Sequence, residues 1–178
     1  MVFEDEASFY RQPTVARAFA PKGRAQPRCG LSPRSNSCVR AAVAFDPVSG
    51  NSTHLMRSSF TVSAVGAVYR AIAAWTAKAE RVVLVMDNWP VHYHERALKA
   101  LREDPRLEIK WLPTYSPWLN PAEKVWKWVR QKRGHMHNLA SDMTALRAMI
   151  DGALTQAESI PAEMLKYTGM GKSKLYGT

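Results

Sequence analysis

The sequence predicts an α/β fold: a mixed five-stranded sheet with helices on both faces. Three observations carry that expectation. Val82–Met86 is an uninterrupted apolar run, which marks a strand buried on both faces of a parallel sheet. The stretch before it is strand-like and broken by turns. From Phe60 onward helical and strand patterns alternate, which builds crossover connections.

In chain order, Val2–Tyr10 reads as a strand that carries Glu4-Asp5-Glu6 inside it. Thr14–Ala20 alternates apolar and polar residues and reads as its antiparallel partner, after a turn at Gln12-Pro13. Pro21–Ser37, rich in Pro, Gly, Ser and Arg, is a loop. Cys38–Phe45 is a third strand, closed by the turn Asp46–Gly50, and Asn51–Ser59 is open to a further short one. Phe60–Ala79 reads as a helix with Val62, Val65, Val68, Tyr69, Ile72 and Trp75 on one face. After the Val82–Met86 strand come a helix over Val91–Arg102, with Ala97, Leu98 and Leu101 inward, and a short strand at Leu107–Leu112. Two helices follow, Asn120–Lys132 and Ser141–Ala157, the second burying Met143, Leu146, Met149, Ile150 and Leu154. Residues 1–158 are expected to form one domain, and the polar stretch 159–178 a loosely packed tail.

Composition narrows the function. At 178 residues, 46% hydrophobic and 22% charged, the chain suits one globular domain with a real core. No apolar run approaches the ~20 residues of a membrane span. The acidic start Met-Val-Phe-Glu-Asp-Glu lacks the plan of a signal peptide, so a cytoplasmic location without membrane contact is expected. Cys29 and Cys38 have no Cys-x-x-Cys spacing and no nearby His, so they read as free thiols rather than a zinc site. The net charge of +10 points to a polyanionic partner, nucleic acid first, although a basic balance also fits membrane-surface proteins.

The acids supply the chemistry. Asp87-Asn88 follows the buried strand directly, and ligands of open α/β sheets bind at the carboxyl ends of such strands. Paired metal ions that act on phosphodiesters require several carboxylates brought together from separate elements. If the first strand neighbours Val82–Met86, an acid on it can share a metal with Asp87. Alternation favours Asp5, because Glu4 and Glu6 share the opposite face, where two acids are more easily left in solvent. Each acid also has a plainer reading. Glu4-Asp5-Glu6 could be a charged strand edge, and Asp87-Asn88 a strand-ending turn. Glu123 falls three residues after Asn120, the capping-box position of a helix with Pro121 at its start.

Longer strings carry a resemblance. Leu84-Val85-Met86-Asp87-Asn88 with His92, then Leu112-Pro113-Thr114-Tyr115-Ser116-Pro117-Trp118-Leu119-Asn120-Pro121-Ala122-Glu123-Lys124-Val125-Trp126, resemble the catalytic half of the DDE transposases of the mariner superfamily, in their bacterial insertion-sequence branch. Phe3-Glu4-Asp5-Glu6 resembles the first acidic motif of that family, and Phe45-Asp46-Pro47 with Gly50 its third strand and turn. The match runs from about Val2 to Leu154. Trp118 stands where the family commonly has an acid, and Thr114 where a second proline is frequent.

The resemblance implies a ribonuclease-H-like fold and a catalytic, metal-binding triad of Asp5, Asp87 and Glu123. It implies Mg²⁺ as cofactor, with Mn²⁺ tolerated, and DNA strand cleavage followed by 3′-hydroxyl strand transfer during transposition of an insertion sequence. The implied partners are the element's terminal inverted repeats and a short target such as TA, met by a homodimer in the bacterial nucleoid. Relatives carry helix-turn-helix DNA-recognition domains before the first acid, whereas here Met1 nearly abuts Asp5. The expectation is therefore a catalytic domain alone, with a separate upstream frame as a source of the missing part. Two alternatives stand beside it: a remnant that binds DNA or transposase subunits without cutting, and a ribonuclease-H-like nuclease for hybrids or junctions.

Lys124, Lys127, Arg130, Lys132 and Arg133 lie on or just past the Glu123 helix, where they would meet a phosphate backbone or simply form a solvated face. Trp89, Tyr115 and Trp118 border the acids and could stack on unpaired bases or pack. Asn88, His92 and Ser116 join Tyr115, Lys124, Lys127 and Arg130 as expected DNA contacts, and His94 reads as a partly buried structural histidine.

Overall fold

The computed structural model describes residues 1–14, 22–23, 28–31 and 37–171. Five strands, β1 (Val2–Tyr10), β2 (Cys38–Phe45), β3 (Ser52–Arg57), β4 (Val82–Met86) and β5 (Leu107–Trp111), form one sheet in the order β3-β2-β1-β4-β5. β1, β2 and β3 pair antiparallel, and β1, β4 and β5 pair parallel.

The antiparallel partner of β1 is Cys38–Phe45 and not Thr14–Ala20 as expected. Register pairs from Phe3↔Phe45 to Tyr10↔Cys38 occupy that edge of β1. The physical reason is burial: Val39, Ala41, Val43 and Phe45 enter one core while Ala42 and Ala44 enter the other, so β2 fills both faces of the sheet. Thr14 forms an isolated bridge to His135, and the rest of the expected strand, like most of the Pro21–Ser37 loop, lies outside the described residues. The fifth strand is β3, within the segment left open in the sequence.

Helices cover both faces. α1 (Val62–Trp75) and α2 (Glu95–Arg102) bury Val65, Val68, Tyr69, Ile72 and Ala97 against Val2, Leu84 and Met86. α3 (Ala122–Val129), α4 (Met143–Ser159) and α5 (Pro161–Thr168) bury Val125, Trp126, Trp128, Leu146, Ile150 and Met164 against Phe9, Val43 and Phe45. Local chemistry sets several starts. Thr61 Oγ1 accepts from the Ala64 N–H at 3.3 Å, and Asp142 Oδ1 from the Ala145 N–H at 2.9 Å. α3 ends in a π-helical turn, Arg130–Gly134, short of the expected Lys132 boundary.

α5 lies within the stretch expected as a loose tail. It packs because Met164 and Thr168 are buried, and its C-terminus closes on Gly169 at φ 77°. A single amphipathic turn pattern among polar residues was too weak a signal to predict it.

Candidate active site

Two strand ends and one helix start meet here. Phe3 pairs with Val85 across the parallel β1–β4 ladder, and Asp5 in β1 and Asp87 just past β4 each follow that pair by two residues on neighbouring strands. Asp5 lies on the sheet face covered by α3, where its Oδ2 accepts the indole N–H of Trp126 at 3.0 Å. Asp87 follows β4, and its Oδ1 accepts the Trp89 N–H at 2.9 Å, closing an Asx turn.

Asn120 brings the third acid. It is buried; its Nδ2 donates to the Glu4 carbonyl at 3.1 Å and its Oδ1 accepts the Ala122 N–H at 3.1 Å. One side chain thus caps α3 and fastens its start to β1. Glu123 is exposed on the first turn of α3. The Asn120 N–H donates to the Pro117 carbonyl at 3.0 Å, so that backbone donor is satisfied without Glu123. The structure therefore does not form the capping box.

Asp5, Asp87 and Glu123 line one cleft of about 300 Å³ with Asn88, Trp89 and Tyr115. Among the described residues, no Lys or Arg lines it. Burial, then the charges of Glu123, Glu6 and Asp87, hold the Asp5 carboxyl well above its usual range, against the Trp126 hydrogen bond that lowers it. A buried carboxyl raised by neighbouring acids, in a cleft that no Lys or Arg among the described residues lines, belongs to a donor set suited to divalent metal ions.

The expected DNA contacts divide. Tyr115 is 89% exposed at φ 58°, and Trp118, on the same loop, is 75% exposed. Ser116 lines the cleft beside them, and Lys127 is exposed one turn beyond Glu123. Lys124 Nζ donates to the Thr168 carbonyl at 2.6 Å, which ties it to the end of α5. Arg130 lies over the Phe9 ring, 5.6 Å from its centroid. The Asn88 amide is engaged inward, its Nδ2 donating to the Leu112 carbonyl at 2.6 Å and its Oδ1 accepting from Tyr93.

His92 corrects an expectation. It is fully buried, with Nδ1 bonded to the Tyr69 hydroxyl at 2.9 Å, so it has no surface to offer a phosphate. His94 is the exposed one and caps α2 through the Arg96 N–H at 3.2 Å. Glu4 and Glu6 also depart from expectation, since neither is left in solvent: Glu4 is buried and Glu6 nearly so. Burial, then Glu6, Asp5 and Asp87, push the Glu4 carboxyl well above its usual range. Sequence reasoning missed this pair because what covers them, α1 with Tyr69 and the turn with His92, is far away in the chain.

Comparisons with known proteins bear on the family and the fold. A family model described as DDE superfamily endonuclease matches residues 1–147. An uncharacterized 39 kDa protein of insertion element IS630 from Shigella sonnei is 22% identical over 139 residues, covering 78% of this chain and 40% of that protein. Among solved structures, a pre-cleavage Mos1 transpososome superposes at TM-score 0.61 and 14% identity, over 97% of this chain and 56% of that one. The Mos1 transposase catalytic domain with Raltegravir and Mn does so at TM-score 0.52 and 14% identity, over 97% and 83%. That likeness in fold bears out the ribonuclease-H-like expectation. The chain spans about two fifths of the IS630 protein and a little over half of the Mos1 chain.

Proposed function

The chain belongs to the DDE superfamily endonucleases, and we propose that it is a transposase catalytic domain, cleaving DNA strands and joining the freed 3′-hydroxyl to target DNA during transposition of an insertion sequence. The observation that carries this reading is the meeting of Asp5, Asp87 and Glu123, from three separate elements, in one open cleft that no basic residue among those described lines. Their all-oxygen donor set fits Mg²⁺, with Mn²⁺ able to replace it. Ions held there would activate the attacking oxygen and offset charge on the leaving one.

The chain's own residues do the rest. Trp126 and the Trp89 N–H fix the orientations of Asp5 and Asp87. Asn120 holds the start of α3 against β1 and so sets where Glu123 stands. Lys127 offers a cation to a phosphate beside the acids, and the exposed rings of Tyr115 and Trp118 offer surfaces on which an unpaired base can stack. The partners in this reading are the element's terminal inverted repeats and target DNA, engaged by a homodimer in the bacterial nucleoid. The insertion-element relative and the net charge of +10 support DNA as the partner. Among the described residues no helix is long and apolar enough to cross a membrane.

The test is nicking of supercoiled DNA at low salt in Mg²⁺ or Mn²⁺. A metal clamp contributes several kcal/mol to the transition state, so Asp87→Asn and Glu123→Gln should each lower the rate by about 10³-fold or more. Nicking that persists in either variant would remove that residue from the site.

A further inference from the structure

On the other face of β1 from Asp5 lies a second cluster, which strand cleavage does not use. Glu4 and Glu6 point there from β1, and His92 comes from the turn Pro90–Tyr93. One donor atom from each lies within 4.8 Å of the others, and among the described residues no other trio of His, Cys, Asp and Glu gathers its donors this tightly. Glu4 is 1% exposed and His92 0%. Both Glu4 carboxylate oxygens, Glu6 Oε1 and His92 Nε2 are buried without a hydrogen-bond partner. Buried polar groups are almost always satisfied, and a buried charge requires a counter-charge.

The neighbours accommodate the tautomer that a metal ligand requires. When the Tyr69 hydroxyl donates to Met86 Sδ at 3.6 Å, its oxygen is free to accept the His92 Nδ1–H at 2.9 Å. That assignment leaves the lone pair of Nε2 facing Glu6 at 3.6 Å and Glu4 at 4.0 Å. A lone pair set against two carboxylates repels them unless a cation lies between. An imidazole whose other nitrogen is anchored by hydrogen bonding is how proteins prepare a metal ligand.

We propose that Glu4, Glu6 and His92 form a further metal site for a first-row transition dication such as Zn²⁺ or Mn²⁺. The imidazole nitrogen sets it apart from the all-oxygen triad, because Mg²⁺ prefers oxygen donors and retains its waters. Entry is through a cleft of about 320 Å³ lined by Asp5, Glu6, Ser8, Arg40, Asp87 and Trp89. His92 Nε2 is also 3.6 Å from Asp87 Oδ1, so an ion here offsets the repulsion that Glu4 and Glu6 exert on the triad from behind.

The experiment is ¹⁵N NMR of the full chain with labelled histidine, stripped with chelator and titrated first with Mg²⁺ and then with Zn²⁺. One imidazole Nε2 resonance, assigned by its loss in His92→Gln, should stay in place with Mg²⁺ and move on binding one equivalent of Zn²⁺. Glu6→Gln, whose side chain reaches the cleft, should abolish the movement, and Glu123→Gln should retain it. Tyr69→Phe should weaken Zn²⁺ binding by about 10–100-fold. A His92 resonance that does not respond to Zn²⁺, or one that responds equally to Mg²⁺, would overturn the proposal. If a variant fails to fold, the His92 resonance is assigned in the unsubstituted chain by its ring-proton contacts with Trp89, whose ring centroid lies 5.5 Å away, and the Mg²⁺ and Zn²⁺ titrations of that chain decide between these outcomes. No DNA is present, so the result is separate from whether the chain cuts DNA.

Discussion

Asp5 is held ionisable in a place that opposes its ionisation. Burial and the nearby Glu123, Glu6 and Asp87 raise its pKa, so the native chain keeps this proton to higher pH than the unfolded chain does. The native state then binds more protons than the unfolded one, and the stability that Asp5 contributes at acid pH is lost as pH rises through its native value. In chelator, Asp5→Asn should therefore melt above the unsubstituted chain at pH 8, with the gap closing as pH falls toward the ordinary value near 3.8. Thermal melts across pH check this, and a gap that widened toward acid would contradict it. The same residue shows how far the sequence could be read. Strand alternation separated Asp5 from Glu4 and Glu6 correctly, but the reason attached to it, that the other two acids face solvent, was wrong. Alternation states which residues share a face and says nothing of what covers it.

Two ties between elements have consequences of their own. Gly50, at φ 77° in the turn between β2 and β3, is approached so closely by α5 that a Cβ there would collide with the Pro161 carbonyl and Leu165 Cγ. Gly50→Ala combines that collision with left-handed strain, so it should cost about 1–3 kcal/mol and lower the melting temperature by several degrees. Calorimetry checks it, and an unchanged melting temperature would mean that α5 is not seated on this turn. The second tie is His54 of β3, bonded to Glu158 at 2.7 Å and Asp151 at 3.0 Å on α4. Burial alone would lower its pKa, but the two carboxylates outweigh burial and raise it. Its contribution is present in full below the ordinary histidine value of about 6.5 and fades as pH rises through the raised native value. His54→Gln should thus lower the melting temperature at pH 6 and change it little at pH 9. The core faces of α1 and α4 were legible because Val65, Val68, Tyr69 and Ile72, like Leu146, Ile150 and Leu154, repeat at helical spacing. α5 and these ties were not legible, because they depend on residues about a hundred positions apart.

Over the whole molecule, the net charge of +10 sits on a chain that brings three of its fifteen acids, Asp5, Asp87 and Glu123, to one cleft. Lys127, exposed one turn from Glu123, is the cation of α3 best placed for phosphate, since Lys124 is bound to Thr168 and Arg130 lies on Phe9. Lys127→Ala should weaken DNA binding to all sequences alike and reduce the slope of log affinity against log salt by about 1. Binding isotherms at several salt concentrations test this, and an unchanged slope would place the DNA path elsewhere. By itself the sequence determined the α/β class, the buried strand that ends in Asp87, and the motif string that carries the family, because these reside in local periodicity and spacing. Only the tertiary structure decided the partner of β1, the burial of His92 with Glu4 and Glu6, and the position of Glu123. Each of those rests on contacts between distant segments: the packing of β2 into two cores, the α1 helix over the far face of β1, and the single Asn120 hydrogen bond that fastens α3 to the Glu4 carbonyl.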